Sequence, residues 1–377
     1  MKIITRLLIM LLPLGFLGKA QADPVDLYAT EVRVADDTLQ VRNEAFEQAL
    51  RGVLVRLSGS VDVGGNPAVG PLLGRAPSLV QQFRYRVDEA ASAAQGTPAA
   101  RYLWVRFDKA SLDRAMRESG IPLWGARRPR VLLWLATERK GARRLVSLEN
   151  ETSTRDILLA RARERGMPLQ LPLMDLLDQS ALSAADLWAG YEAAIRDASK
   201  RYPHDVILTG RLRDLGGRWE ARWTLLDRDD TESFEARGNT RAAALLSGID
   251  TVQDKLAARY APTSGGDGSA FTRVRFRGID SVAAYGRLIA IVGEQEDITR
   301  VNVRGVQGDD LYLDLWARGG PNALTRMLSL GGELFLEPPA EPEWPSLESG
   351  KQFPAGPSAA LPADLTFNFL PSAVNGW

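Results

Sequence analysis

The sequence predicts a mixed α+β protein built from three small units, each a β-sheet with helices, and three observations support this. Short strand-like segments alternate with amphipathic helical patterns along the chain. Segments rich in Gly, Pro or Ser interrupt both patterns near residues 122–129 and 263–269. At 377 residues, the chain is longer than a single hydrophobic core usually allows. The predicted parts are a signal peptide at 1–22, an N-terminal α/β domain at 23–125, a middle domain at 126–262, a linker at 263–269, a third domain at 270–337 and a Pro-rich mobile tail at 338–377.

The N-terminal segment has the pattern of a bacterial secretory signal peptide. Lys2 and Arg6 precede an apolar run that ends at Leu17, and small residues follow it up to Ala22, where cleavage is expected. The apolar run is shorter than the roughly 20 residues that cross a bilayer, so we expect no transmembrane segment. The expected location is therefore the periplasm.

The N-terminal domain begins with a predicted strand at Val25–Val34, which has the β-branched and aromatic content of strands. A helix is predicted next, because apolar residues recur at helical spacing; Asp37 is expected to cap it and Gly59 to end it. Gly and Pro residues make 59–77 a predicted loop. The domain continues with a short helix near 77–83, strands near 83–87 and 101–107, and a helix at 109–119.

The middle domain opens on Val131–Leu135, a continuously apolar segment typical of a strand that is covered on both faces. A helix from Ser153 or Thr154 to Gly166 and a strand at Leu169–Leu173 follow, which predicts a parallel pair with a right-handed crossover. The remaining elements are a helix at 183–202, strands at 205–213, 218–227 and 231–238, and a helix at 240–260. The predicted order is therefore βαβαβββα.

The third domain has the element order of a ferredoxin-like βαββαβ unit. Its predicted elements are a strand at 271–277, a helix at 281–292, strands at 298–306 and 311–317, a helix at 321–330 and a strand at 333–336. The tail beyond it is rich in proline, which excludes long helices and favours an extended, mobile chain. Its end carries Phe367, Phe369, Leu370 and Trp377, which could dock on the protein, bind a partner or stay disordered.

Composition excludes several classes of chemistry. The chain contains no cysteine and one histidine, so a Cys nucleophile, a Cys-based zinc or iron–sulfur site and any site with two His are excluded. Removing Lys2, Arg6 and Lys19 with the signal peptide leaves 44 basic against 47 acidic residues, so a nucleic-acid partner is not expected. We expect no cofactor and no metal.

Candidate catalytic residues have simpler structural explanations. His204 lies in a predicted turn, and the chain has no Gly-x-Ser-x-Gly elbow for a catalytic serine. Acidic residues could form the carboxylate pair of a glycan hydrolase, but they fall in predicted turns or loops, where Asp supports the local backbone. These acidic residues are Asp229, Asp230, Glu294, Glu296, Asp297, Asp309 and Asp310. No catalytic residue is therefore assigned.

Trp219 and Trp223 are the candidate binding residues. They are four residues apart on one predicted strand, so both rings point to the same side of the sheet. Flat rings on one face could stack on a sugar, or they could form the core face of the sheet, which is the simpler explanation. Two basic clusters offer a further alternative, since they could meet anionic lipid or glycan or simply form a solvated surface. These clusters are Arg127, Arg128 and Arg130, and Arg139, Lys140, Arg143 and Arg144.

Several segments resemble a known family. Ile121-Pro122-Leu123-Trp124-Gly125 and Arg128-Pro129-Arg130-Val131-Leu132-Leu133-Trp134-Leu135 are similar to segments of the proteobacterial domain-of-unknown-function family 2066, over about residues 24–337. That resemblance implies secretion and assigns no activity. The middle domain, with Asp205–Gly210 and the strand Trp219–Leu226, resembles αβ domains of envelope proteins: the Tol-system propeller protein, the curli-secretion lipoprotein and the flagellar assembly protein T. This second resemblance implies a protein that acts by binding other proteins and not by catalysis.

The sequence therefore predicts a soluble periplasmic, non-enzymatic accessory or scaffold protein for an envelope assembly, with an envelope protein as its partner. The alternative is a module that binds glycan or peptidoglycan, or a carboxylate-based glycan hydrolase. The two hypotheses differ in what they require of the fold, because catalysis needs polar groups that converge in a cleft. The oligomeric state is not specified by the sequence.

Overall fold

The computed structural model describes residues 26–88, 99–147, 151–228, 230–261, 271–338 and 361–370. The predicted signal peptide, the linker 263–269, most of the tail and Trp377 lie outside these ranges. Three sheets, each packed with helices, make the protein a mixed α+β structure, which confirms the predicted fold class. In the part of the chain so described, none of the helices combines the length and apolar character that a membrane crossing requires.

The first unit packs helices on one face of a three-stranded antiparallel sheet. The sheet order is β1 (Ala29–Val34), β3 (Ala100–Phe107) and β2 (Val80–Asp88). The helices are α1 (Leu39–Ser58), α2 (Val69–Leu73), α3 (Ala76–Leu79) and α4 (Lys109–Glu118). Thr38 caps α1 in place of the predicted Asp37, because its hydroxyl accepts from the Val41 amide at 3.4 Å. The predicted loop 59–77 contains a 3-10 turn at Val61–Gly65 together with α2 and α3.

The middle unit has helices on both faces of its sheet. The strands are β4 (Val131–Arg139), β5 (Ala142–Leu145), β6 (Leu169–Gln170), β7 (Val206–Asp214), β8 (Trp219–Leu226) and β9 (Thr231–Gly238). Their order is β5-β4-β7-β8-β9, with β4 parallel to β7 and to β6. The helices are α5 (Thr152–Arg165), α6 (Leu176–Ala181), α7 (Ala184–Ala189), α8 (Glu192–Ser199) and α9 (Arg241–Tyr260).

The alternation along β4 explains this layering. Val131, Leu133 and Leu135 share one core with α5 and α9, whereas Leu132 and Trp134 share another with α7 and α8. Three details differ from the predicted βαβαβββα order. β5 is an additional strand and α6 is an additional helix. The predicted helix 183–202 is broken because Gly190, at a φ of 76°, ends α7.

The third unit contains all six predicted elements and one more strand. The elements are β10 (Thr272–Arg277), α10 (Val282–Gly293), β11 (Ile298–Gln307), β12 (Asp310–Ala317), α11 (Gly320–Ser329), β13 (Leu334–Leu336) and β14 (Leu365–Phe369). The sheet order is β11-β12-β10-β14-β13. Because β14 separates β10 from β13, the ferredoxin-like arrangement is not confirmed in this form.

The strand β14 lies in the segment predicted as a mobile tail. Phe367 is fully buried and its ring stacks on Phe276 with 5.9 Å between centroids, and Phe369 is buried in the same core. The alternation of Leu365, Phe367 and Phe369 gives one apolar face, which the core of the third unit covers. This part of the tail therefore docks on the protein itself.

Candidate functional site

The structure places the two predicted binding residues in the core of the middle unit. Trp223 is fully buried, and its ring lies between Gly210 on β7 and Gly248 on α9. Trp219 is half-buried and packs against the same core. The rings do share one side of β8 as predicted, but the buried Trp223 ring has no free face for a sugar. We therefore do not place a glycan site on β8.

The loop between α10 and β11 does not form an open acidic site. Glu296 pairs with Lys109 at 3.2 Å, and Asp297 pairs with Arg318 at 3.5 Å. Burial raises the pKa of Asp297, but the crevice that Glu296 and Asp297 line has a volume of only about 10 Å³. That space is too small for a sugar ring.

The other candidate residues also have local partners. Asp310 pairs with Arg275 and Arg277, and Glu294 pairs with Arg127 at 3.3 Å. The Nδ1 atom of His204 lies 2.8 Å from the carbonyl oxygen of Tyr202. Across the described ranges, no group of three His, Asp or Glu side chains could hold a metal ion. Asp229 lies outside the described residues.

One residue of the first predicted basic cluster, Arg128, is part of the junction between the first two units and not of a solvated surface. The side chain of Arg128 is buried, and its guanidinium donates to the carbonyl oxygens of Arg56 at 2.7 Å, Arg165 at 3.1 Å and Gly166 at 3.2 Å. Arg127 donates to the carbonyl of Leu330, and Arg130 pairs with Asp205. Because these arginines are committed to the protein's own structure, they are not available to a membrane.

A groove with a volume of about 800 Å³ beside α6 is the strongest candidate for an interaction site. Two leucines that line it are unusually open to solvent, Leu173 at 54% and Leu176 at 83%, and the adjacent Leu177 is 66% exposed. We call this region the leucine groove. Its lining includes Arg143, Arg144, Leu145, Leu173, Met174, Leu176 and Leu182. Adjacent exposed apolar side chains of this size mark interaction sites on soluble proteins.

A buried carboxylate fixes the backbone of the leucine groove. Asp178 accepts from the Met174 amide at 2.8 Å, from the Tyr202 hydroxyl at 2.5 Å and from Arg201 at 3.0 Å. The Tyr202 hydroxyl in turn accepts from the Leu173 amide at 2.9 Å. These bonds hold the backbone of this segment in one geometry, so a partner would have to order only the leucine side chains on binding.

Met174 adopts a backbone conformation that such residues rarely use, with a φ of 58°. Its amide bonds to Asp178, and its carbonyl oxygen accepts from the Gln179 side chain at 2.7 Å. Left-handed backbone at a non-glycine residue costs free energy and is concentrated at functional sites. The turn at Met174 directs Leu173 and Leu176 to the surface.

The rim of the leucine groove is basic on the side of β5. Arg143 pairs with Glu138 at 2.8 Å and lies over the Trp188 ring. Arg139, Lys140 and Arg144 are exposed and have no carboxylate partner among the residues that the structure describes. The second predicted basic cluster thus lies on the surface, at the edge of an apolar groove.

We expect Tyr202→Phe to lower the free energy of unfolding by about 1–2 kcal/mol, because the hydroxyl joins Leu173 to the buried Asp178. Burial raises the pKa of Tyr202 to about 12, and the hydrogen bond to Asp178 adds to this effect. The contribution of the neutral hydroxyl is complete below pH 10 and is lost as pH rises through about 12. Urea unfolding at several pH values measures the difference, with the exposed Tyr191→Phe as control. If the difference in free energy of unfolding between the wild type and Tyr202→Phe stayed the same at high pH, this role of the hydroxyl would be contradicted.

Comparison with known proteins gives little functional information and corrects the predicted family. The family model that matches residues 22–125 is described as "Domain of unknown function (DUF8605)", a different domain from family 2066. The predicted resemblance to family 2066, and the weaker one to the Tol, curli and flagellar proteins, is therefore wrong. The segments quoted for it are short and lie largely at the junction between the first two units. No curated protein matches the chain.

One similar solved structure is the Thermus thermophilus Protein Y N-terminal domain. It is 10% identical, with a TM-score of 0.18, and the match covers 35% of this chain and 98% of that one. At this score it supports no inference about fold or function.

The leucine groove was not among the sites that the sequence analysis predicted. A proline and an Asp cap around the run of leucines indicate a turn, but the exposure of those leucines depends on the packing of α6 and α8.

Proposed function

We propose that the protein is a periplasmic, non-enzymatic accessory protein that binds a protein of an envelope assembly through the leucine groove. The observation that carries this proposal is the exposure of Leu173, Leu176 and Leu177 on a backbone that Asp178 holds in place. When a partner covers exposed apolar side chains, their removal from water makes the free energy of binding more favourable. The predicted signal peptide supports the periplasmic location, and cell fractionation tests it.

The shape and charge of the groove define the partner's chemistry. A concave surface lined by leucines fits an apolar helix or an extended segment of another protein better than it fits a flat bilayer. Arg144 and the exposed Arg139 and Lys140 favour acidic residues beside that apolar segment. The proposed occupant is therefore a protein segment with apolar anchors flanked by Asp or Glu.

We expect Leu176→Asp to weaken partner binding at least tenfold without loss of stability. Leu176 is the first residue of α6, where a carboxylate suits the helix dipole, so the substitution changes the surface and not the fold. Val282→Asp is a matched control, because Val282 is 87% exposed and is the first residue of α10. A photo-crosslinking residue at position 177 in living cells identifies the partner, and calorimetry with the purified pair measures the affinity.

Two outcomes would overturn the proposal, and a third would support it. Equal affinity of the wild-type protein, Leu176→Asp and Val282→Asp for the purified partner would remove the leucine groove from the interface. Flotation of the wild-type chain with phosphatidylglycerol vesicles, abolished by Leu176→Asp, would show that the groove meets lipid instead of protein. A salt-dependent loss of affinity in Arg144→Glu would support the acidic character of the partner.

A further inference from the structure

A second cavity, separate from the leucine groove, lies between the middle unit and the third unit. Its volume is about 550 Å³, within the usual range for sites that bind small molecules, and clefts between domains are common places for them. One wall comes from the turn between β8 and β9 and from the end of α9. The other wall comes from α11, β13 and Pro338. We call this cavity the interunit cleft.

The acidic side chains of the interunit cleft are already paired. Asp227 accepts from Arg259 at 3.1 Å and from the Tyr260 hydroxyl at 2.6 Å, and Asp230 accepts from Arg259 at 2.6 Å. Asp205 accepts from the backbone and side chain of Arg130 and from the Gly331 amide at 2.9 Å. Asp205 is thus neutralised by Arg130, whereas Arg259 is shared by Asp227 and Asp230 and neutralises only one of their two charges.

Two arginines in the cleft have no carboxylate partner among the described residues. Arg228 is exposed, donates to the Ser329 carbonyl at 3.3 Å and lies over the Phe335 ring at 5.1 Å. Arg326 lies on the opposite wall, and its Nε atom is buried without a hydrogen-bond acceptor. Because that Nε atom is closed to solvent, a ligand in the cleft would bind the terminal nitrogens of Arg326 and leave Nε as it is.

We propose that the interunit cleft binds a small organic oxyanion, with Arg228 and Arg326 as its ligands from the two walls. A guanidinium presents paired donors that match the oxygens of a carboxylate or a phosphate. Phe335, Leu336 and Leu330 also line the cleft and suit an apolar or aromatic body attached to the anionic group. Because each wall contributes one arginine, the bound anion also joins the middle unit to the third unit.

Calorimetry of the purified chain with phenyl phosphate, benzoate, inorganic phosphate and benzyl alcohol tests this proposal. We expect phenyl phosphate or benzoate to bind at one site, inorganic phosphate to bind at least tenfold more weakly and benzyl alcohol not to bind. The comparison between phenyl phosphate and benzoate identifies which oxyanion the site prefers. Failure of both to bind at millimolar concentration would overturn the proposal.

Substitution of single arginines locates the site. We expect Arg326→Gln and Arg228→Gln each to weaken binding at least tenfold, whereas Arg304→Gln leaves it unchanged. Arg304 is an exposed arginine on β11 in the same unit, so it controls for the loss of one positive charge. If Arg228→Gln also lowers the melting temperature, Arg326→Gln decides the result. Equal affinity of Arg326→Gln and Arg304→Gln would show that the anion binds elsewhere.

Discussion

Gly248→Ala should lower the free energy of unfolding by about 2–3 kcal/mol, although alanine is the better helix former. Gly248 lies in α9 directly over the buried ring of Trp223. A β-carbon at this position would lie 2.1 Å from the indole Nε1 and 2.4 Å from Cε2. The ring cannot yield, because Gly210 on β7 already brings the neighbouring strand against its other side. The extra methyl group must therefore displace either α9 or the sheet.

Gly52→Ala provides a matched control in another helix. Gly52 lies within α1, and a β-carbon there would have no atom within 4 Å. We expect this substitution to raise the free energy of unfolding by about 0.5–1 kcal/mol, because alanine loses less backbone entropy in a helix. Urea unfolding measures both variants. Opposite signs at the two glycines are the result that distinguishes steric conflict from helix propensity.

A double substitution tests whether the Trp223 ring causes the conflict. Trp223→Phe removes the outer ring of the indole, which includes Cζ2 at 2.8 Å from the added β-carbon, and the cavity that it leaves lets the smaller ring move away from Gly248. We expect Gly248→Ala to cost less in the Trp223→Phe background than in the wild type, with a coupling of about 1 kcal/mol. If the changes in free energy of unfolding of the two substitutions were strictly additive, the steric conflict of the added methyl group would be with a group other than the Trp223 ring.

Local sequence patterns were sufficient for the elements whose burial follows from their own residues. The continuous apolar run Val131–Leu135 predicted a strand covered on both faces, and the structure places alternate residues in two cores. The spacing of Trp219 and Trp223 predicted that both rings share one side of β8, and they do. In each case the face on which a side chain lies follows from the strand alone, because successive side chains of a strand point to opposite faces.

Features that depend on contacts distant in sequence could not be predicted. The strand β14 pairs with β10 across about 90 residues, so its alternating apolar residues alone did not distinguish docking from disorder. The sequence also favoured a solvated surface for Arg128, because a charged residue is rarely buried. Its burial depends on carbonyl oxygens from α1 and from the end of α5. The exposure of Leu176 likewise reflects packing and not composition.

The buried arginines make the first two units one structural body. Arg56 donates to the carbonyls of Ala29 at 2.7 Å and Glu164 at 3.0 Å, and Arg165 donates to Gly59 at 2.7 Å and to Asp250 at 2.7 Å. Arg128 lies between them, and its guanidinium also covers the ring of Trp124. Because the Arg56 and Arg165 bonds cross between the two units, they couple the folding of one unit to that of the other.

Arg128→Met should therefore lower the free energy of unfolding by about 3–5 kcal/mol and separate the unfolding of the first unit from that of the middle unit. Methionine fills a similar volume but leaves the carbonyls of Arg56, Arg165 and Gly166 without their donor. Relief of the desolvation of the buried guanidinium, and then of the like-charge repulsion from Arg56 and Arg165, offsets part of this cost. Five charge-assisted bonds outweigh it, since the guanidinium also donates to Trp124 and Gly125.

The matched control for this substitution is Arg33→Met, because Arg33 is exposed on β1 and should change stability by less than about 0.5 kcal/mol. Calorimetric unfolding distinguishes the two outcomes. The wild type and Arg33→Met should keep the same transitions, whereas Arg128→Met should show an earlier transition for the first unit. If Arg128→Met unfolded with the same profile as Arg33→Met, the Arg128 guanidinium would not hold the junction, and the bonds of Arg56 and Arg165 together with the packing of Trp124 would hold it instead.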